Sequence, residues 1–236
     1  VTVFEALPVA GGAMAVAIPA YRLPRDVLQR EIDHIVRCGV TLKLQSRVRS
    51  LASLRKQGFD ALFVGIGAHK GMGLGLPGER GKGVYDAMAF LRDFSLGKKV
   101  PRLGRVAVVG GGNSAMDAAR TAVRLGAESV QVLYRRSRAE MPAHDWEVEE
   151  AEREGVLFKF LVSPVAVLGD GKAEKVKCIR MRLGEPDESG RRRPEPIEGS
   201  EFTLDADLIV MAIGQQTDIA GGMEKLKRSK WGTIEA

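Results

Sequence analysis

Along the 236 residues, short apolar runs alternate with amphipathic stretches, the pattern of an α/β protein. Residues 1–4 alternate as a strand that closes on Glu5. Over residues 25–38, Val27, Leu28, Ile32, Ile35 and Val36 share one face of a helix ended by Gly39, and residues 40–44 read as a strand. The apolar run 60–68 predicts a buried strand entering a glycine turn, and 86–94 predicts a helix. Residues 105–109 are apolar and β-branched, hence a strand. Residues 114–125 place Ala115, Ala118, Ala119, Ala122 and Leu125 on one helical face up to the stop at Gly126, and 130–134 form the next strand. A charged helix over 145–154 and a strand over 156–161 follow, then alternating segments 176–183 and 201–204 that suit a hairpin. Residues 205–214 repeat the pattern of 60–67, an acid, a buried strand, then a small residue and a glycine, which suggests duplicated architecture. Residues 8–24, 71–83 and 184–200 carry the glycines and prolines of loops.

The chain is organised around residues 104–142. GGGNSA at 110–115 fits G-x-G-x-x-A and lies between a predicted strand and helix, the context in which that motif indicates a dinucleotide site. Gly110 would allow the tight turn. Gly112 would let a pyrophosphate approach the backbone, and Ala115 would let the helix lie close to the sheet. The helix N-terminus would offer N–H groups and a positive dipole end. Where an NAD site places an acid for the ribose 2′-hydroxyl, this chain has YRRSR at 134–138. Guanidiniums there suit a 2′-phosphate, so NADP is favoured over NAD. A solvated basic loop is the competing reading of the same residues.

Residues 1–5 look like the corresponding strand of a second nucleotide fold, with Glu5 where Arg135 stands in the first. An acid suits a ribose with a free 2′-hydroxyl, as in the adenosine half of FAD. No strand and glycine turn precede Glu5, and residues 1–5 read as a strand cut from a longer chain.

Composition narrows the function classes. With 44% hydrophobic residues, the length suffices for one large domain or two small ones. No apolar run is long enough to span a membrane and no signal peptide is seen, so the expected setting is cytoplasmic. The net charge of +6 comes with no nucleic-acid-binding motif, so no nucleic-acid partner is expected. Cys38 and Cys178 form no C-x-x-C, which leaves neither a redox disulfide nor an iron–sulfur ligand set, and both are expected as small core residues. Glu147, Glu149, Glu150, Glu152 and Glu154 read as a solvated helix face, not a metal site. The three arginines at 191–193 read as solvated loop residues. His34 reads as a surface residue and His69 as a loop residue without a visible partner.

Residues 1–25, the YRRSRAEMP run and the Ala212-Ile213-Gly214 strand end resemble the small (beta) subunit of NADPH-dependent glutamate synthase and its flavoprotein relatives, over residues 1 to about 218. The resemblance implies a fold of two dinucleotide-binding domains, a Rossmann-like NAD(P) domain inserted in an FAD domain. Its limits here would be an incomplete FAD domain over 1–103, the NAD(P) domain over 104–207 and a return segment over 208–236. It implies hydride transfer from NADPH to FAD and onward electron flow to iron–sulfur clusters or a large partner subunit. No catalytic nucleophile, acid–base pair or metal ligand is required within this chain. By position, Gly110, Gly112, Asn113, Ser114 and Ala115 would hold the NADPH pyrophosphate, and Arg135, Arg136 and Arg138 the 2′-phosphate. Glu5 would bind the FAD ribose, with Gly11 and Gly12 along the FAD and Ile18, Pro19 and Arg22 nearer the flavin. Gly65, Gly67 and Gly214 would shape the domain junctions. The family's cysteine-rich region, its FAD glycine motif and its C-terminal Gly-Asp segment find no counterpart in this sequence. The alternative is therefore an NADP(H)-binding, subunit-docking fragment without turnover.

Overall fold

The structure is a computed structural model, and it describes residues 1–98, 103–219, 226–229 and 233–235. In chain order its elements are β1 (Thr2–Phe4), α1 (Gly12–Val16), α2 (Arg25–Arg37), β2 (Thr41–Lys43), α3 (Leu51–Lys56), β3 (Lys70–Gly71), β4 (Val84–Asp86), α4 (Ala87–Ser95), β5 (Arg105–Val109), α5 (Asn113–Arg124), β6 (Ser129–Tyr134), α6 (Asp145–Arg153), β7 (Leu157–Phe160), β8 (Val162–Leu168), β9 (Lys175–Pro186), β10 (Arg192–Pro196), β11 (Phe202–Asp205), β12 (Leu208–Met211) and β13 (Gln215–Gln216). The chain divides into two compact units, residues 1–70 with 215–236, and residues 71–214. The boundary expected at Gly104 therefore lies earlier. Segment 84–95 belongs to the second unit, because β4 pairs in parallel with β12.

The second unit is built on a five-stranded parallel sheet of order β4-β12-β5-β6-β7. Strands covered on both faces must be apolar throughout, and Val106–Val109 and all of β12 are buried. On one face lie α4, α5 and α6. Ala115, Ala118, Ala119 and Ala122 have no exposed surface, and these small side chains seat α5 close against the sheet with Val108, Val130, Val132 and Val210. Asp86 caps α4 by accepting from the Ala89 N–H at 2.8 Å, and Gly126 follows α5 at φ 79°. The other face is covered by an antiparallel sheet of β8, β9, β10 and β11, whose Val162, Val167, Val176 and Cys178 meet Val109, Leu133, Ile209 and Met211. Burial pushes the Cys178 thiol up to about 12, so it is an inert core group. Cys38, expected in a core, is exposed.

The hairpin of β9 with β11 forms as expected, pairing Phe202 with Cys178 through Asp205 with Lys175. β8 and β10 lie where no strand was expected. β8 contains Pro164, which a regular strand accommodates poorly, and the register shifts between Pro164 and Ala166. β10 lies in the expected loop 184–200 and pairs with the distal half of β9, again with a register shift between Arg192 and Pro194.

The acids of α6 are not simply a solvated face. Glu147 has no exposed surface and lies 3.6 Å from Arg120 of α5, itself buried. Arg120 also reaches Glu154 at 2.6 Å, and Arg124 pairs with the same carboxylate. Burial alone would raise the Glu154 carboxyl, but the hydrogen bonds and charges of Arg124 and Arg120 outweigh it and hold it at about 2.

In the first unit β1 and β2 form a parallel pair, Thr2 with Thr41 through Phe4 with Lys43. α2 begins and ends as expected, yet of its apolar face only Leu28 is buried, while Val27, Ile35 and Val36 are exposed. The run 60–68 is not a strand. It forms no β pairing among the described residues, and Phe63 is 97% exposed. β-Branched and aromatic composition makes a strand only where a neighbour supplies hydrogen bonds and cover, so the likeness of 60–67 to 205–214 does not extend to structure. The loop expected over 8–24 contains the five-residue α1, too short to leave a helical period.

Candidate nucleotide site

The site is built where β5 runs into α5. Gly110 has φ 142°, and a Cβ there would stand 2.2 Å from the Ala212 carbonyl oxygen, since β12 passes directly behind the turn. At Gly111 a Cβ would fall 2.5 Å from the Tyr134 ring at the end of β6. Two glycines are therefore demanded by the protein's own packing. Gly112 differs. Its backbone is extended, with φ −95° and ψ 176°, and a Cβ would meet nothing nearer than Pro142 at 3.8 Å. Neither the fold nor the backbone angles call for glycine there, while a ligand against the turn would.

Gly112 is the N-cap of α5. That N-terminus has no side-chain cap and no acid in its first turn, so its positive end is not neutralised from within the helix. Asn113 and Ser114 open the helix half-buried, and Ala115 lies beneath them in the core. The Asn113 Oδ1 accepts from the His144 N–H at 3.2 Å, and the Gly111 carbonyl accepts from the Ala143 N–H at 3.1 Å. These bonds lay residues 142–144 alongside the glycine turn, a neighbourhood that pattern reading did not reveal. A cavity of about 770 Å³ opens beside them, lined by Arg138, Met141, Ala143, His144 and Glu149. The His144 and Trp146 rings stack at 6.3 Å.

The three arginines expected to act together are separated. Arg135 is exposed and makes no ion pair among the described residues. Arg136 is buried. Its Nε donates to the Arg192 carbonyl and its Nη2 to Asp187 Oδ2, both at 2.7 Å. A desolvated guanidinium needs such partners, and β10 supplies them. Arg138 donates to Glu152 Oε1 at 2.6 Å, and that bond raises its already high pKa. The acid that follows, Glu140, is turned back onto Ser137, whose hydroxyl donates to it at 2.6 Å and lowers its pKa. Tyr134 closes the strand by donating its hydroxyl to the Glu140 carbonyl at 2.7 Å.

In the first unit, Glu5 stands half-buried at the end of β1 and accepts from the Leu7 N–H at 2.7 Å. Gly11 at φ 104° and Gly12 at φ 52° start α1, and a Cβ on Gly11 would come within 3.1 Å of Leu28. Pro19 is buried, and Ile18 and Arg22 are half-buried. The residue that organises this loop is Arg25, which donates to the carbonyls of Ile18 at 2.7 Å and Met14 at 2.9 Å. Burial lowers its pKa. Gly65 is exposed in the irregular run, and Gly67 turns there at φ 66°. In the second unit, Gly214 at φ 133° accepts from the Met72 N–H at 3.0 Å. Among the described residues no group of histidines, cysteines and acids could hold a metal ion, and no helix is long and apolar enough to cross a membrane.

Comparison with known proteins adds to this geometry. A family model described as pyridine nucleotide-disulphide oxidoreductase matches residues 22–236. The chain is 50% identical to the NADP(+)-dependent formate dehydrogenase subunit beta of Moorella thermoacetica, over 99% of this chain and 34% of that protein. It is 39% identical to a putative NADPH glutamate synthase small chain of Cereibacter sphaeroides, over 100% of this chain and 60% of that one. The NADPH glutamate synthase small chain of Escherichia coli is 39% identical over 90% of this chain and 48% of its own length. The chain thus spans between 34% and 60% of the length of these relatives. The fold matches Mycobacterium tuberculosis FprA in complex with NADPH, at TM-score 0.83 and 18% identity, over 100% of this chain and 68% of that one.

Proposed function

The chain belongs to the pyridine nucleotide-disulphide oxidoreductase family, and from that premise we propose that it serves NADPH-to-flavin electron transfer, with NADPH held by the second unit. The carrying observation is the pairing of an α5 N-terminus without a side-chain cap at an open Gly112 with an exposed Arg135, unpaired among the described residues, at the end of the adjacent strand. The names of the relatives, which specify NADP or NADPH, favour the same nucleotide.

The residues present fit such a ligand. Gly112 leaves room for the pyrophosphate, and Asn113, Ser114 and the first-turn N–H groups of α5 would receive it. Arg135 would meet the 2′-phosphate, with no acid there to repel it. Glu5, Gly11 and Gly12 are the groups in the first unit that would face FAD, Glu5 accepting from the ribose, with Ile18, Pro19 and Arg22 nearer the flavin. When bound, the nicotinamide supplies a hydride and the flavin accepts it and divides it into single electrons, chemistry that needs no protein nucleophile. The protein's share is to bind, orient and exclude. A large subunit or an iron–sulfur protein is the expected acceptor, as the subunit names of the relatives suggest, in a cytoplasmic setting.

Titration of the purified chain with NADPH and NADH tests the site. Arg135→Ala is expected to weaken NADPH about tenfold or more while NADH changes little, the loss of one charge-assisted contact. Equal losses for both nucleotides would refute the 2′-phosphate role. A visible spectrum separates turnover from simple nucleotide binding. Bound flavin bleached by NADPH supports the oxidoreductase, whereas a colourless chain that binds NADPH supports a docking module alone.

A further inference from the structure

We propose that Asp187, on the hairpin of β9 and β10, is a positioning residue that sets NADPH preference by anchoring Arg136 and so presenting Arg135. The inference rests on the nucleotide reading above and assigns part of its selectivity to a strand pair outside the parallel sheet.

Arg136 is fixed from two directions. Its side chain is held at 2.7 Å by both the Arg192 carbonyl and Asp187 Oδ2. Its own carbonyl accepts from the Leu161 N–H at 3.1 Å. On the other side of Arg135 stands Tyr134, fixed by β6 and by its bond to the Glu140 carbonyl. Arg135 is therefore the one exposed residue between two immobilised neighbours. A cation presented in this way loses less freedom when it meets a phosphate than one on a loose loop.

Asp187 is suited to this task because its two oxygens have separate duties. Oδ1 accepts from the Ser189 hydroxyl at 2.5 Å and from the Ser189 N–H at 2.9 Å, and so supports the hairpin turn, together with the Gly190 N–H on the Asp187 carbonyl at 2.9 Å. Oδ2 faces Arg136. The Ser189 hydrogen bond and the Arg136 charge both favour the ionised carboxylate. Asp187→Asn keeps the size of the side chain but leaves one oxygen for two jobs. Whichever way the amide is oriented, the negative charge facing Arg136 is gone and one oxygen contact is lost, either to the Ser189 N–H or to the arginine. Asp187→Glu restores a carboxylate that can still reach the guanidinium.

The test is a binding titration of the whole chain with NADPH, NADH and 2′,5′-ADP, with thermal melts to confirm that each variant folds. Asp187→Asn is expected to weaken NADPH and 2′,5′-ADP about tenfold, NADH less than twofold, with partial recovery in Asp187→Glu. Asp187→Ala is the second variant and should follow Asp187→Asn. Parallel losses for NADPH and NADH would make Asp187 merely structural and overturn the inference. Tighter NADPH binding would mean that Asp187 competes with the phosphate for Arg136, and would overturn it as well. If the unmodified chain binds no NADPH, the nucleotide reading fails and this inference with it. If the unmodified chain prefers NADPH and Asp187→Asn keeps that preference, this inference fails alone.

Discussion

Gly110→Ala should lower the melting temperature of the nucleotide unit steeply, whereas Gly112→Val should leave the melt unchanged and abolish most NADPH affinity. The two glycines belong to one motif, yet the structure gives them opposite reasons. At Gly110 the backbone sits at φ 142°, and an added Cβ would lie 2.2 Å from the carbonyl oxygen of Ala212, just past the end of β12. Ala212 follows directly on buried β12 and its own N–H is bonded to the Val109 carbonyl at 2.8 Å, so this segment cannot simply retreat. Overpacking plus left-handed strain amounts to about 2–5 kcal/mol, a large share of a domain's net stability. At Gly112 the extended backbone accepts any residue, and the nearest atom to an added Cβ is 3.8 Å away. The Cβ of a valine there reaches only ordinary contact distance from Pro142, and the side chain would occupy the space through which a pyrophosphate approaches α5. The expected loss is roughly ten- to hundredfold in NADPH affinity at constant melting temperature. Differential scanning calorimetry beside a fluorescence titration reads both. Unchanged NADPH binding in Gly112→Val would place the pyrophosphate elsewhere.

The same contrast explains what could be read from the chain before its structure. β5, the glycine turn, α5 and β6 are specified by neighbours within a few residues, by alanine spacing, β-branched runs and a stop at Gly126, and they form within a residue or two of expectation. The division of labour among the arginines is not local. Arg136 is committed to groups 51 and 56 residues away, on a hairpin whose prolines and glycines make its sequence look like a loop. Glu147 sits among acids that favour solvent, yet it is buried facing Arg120 of another helix, a partner no local pattern signals. The run 60–68 errs in the other direction. It has every compositional mark of a buried strand, but a strand is a relation between two segments, and among the described residues none pairs with it. Glu5 is legible as a candidate from its place at a strand end, whereas Gly11 and Gly12 become candidates only through the family resemblance. The role of Arg25 in folding the loop behind them is not legible, since its partners are backbone carbonyls that carry no sequence signature.

Arg120→Met should destabilise the second unit by about 3–5 kcal/mol, a fall of about 10 °C or more in melting temperature, because it removes one buried charge that faces another. Glu147 has no exposed surface, and Arg120 lies 3.6 Å from it. With methionine in place of the guanidinium, buried Glu147 loses the charge that Arg120 sets against it. Arg120→Met combined with Glu147→Leu removes both charges together, so it should recover much of the loss, as exchanging a buried pair for apolar groups often does. A double variant no more stable than Arg120→Met would mean that Glu147 is not the group left stranded. Acid titration gives an independent reading through Glu154, which Arg124 and Arg120 hold at about 2. A carboxylate depressed by folding contributes stability above its ordinary range, and that contribution is lost as pH falls from the ordinary range toward about 2. The unmodified chain should therefore weaken progressively below about pH 4.5, the ordinary end of that window. In Arg120→Met the slope over the same window should flatten, since Arg124 alone then holds the carboxylate. Because α5 carries the candidate phosphate-binding N-terminus at one end and Arg120 and Arg124 toward the other, this network braces the helix that the nucleotide site depends on.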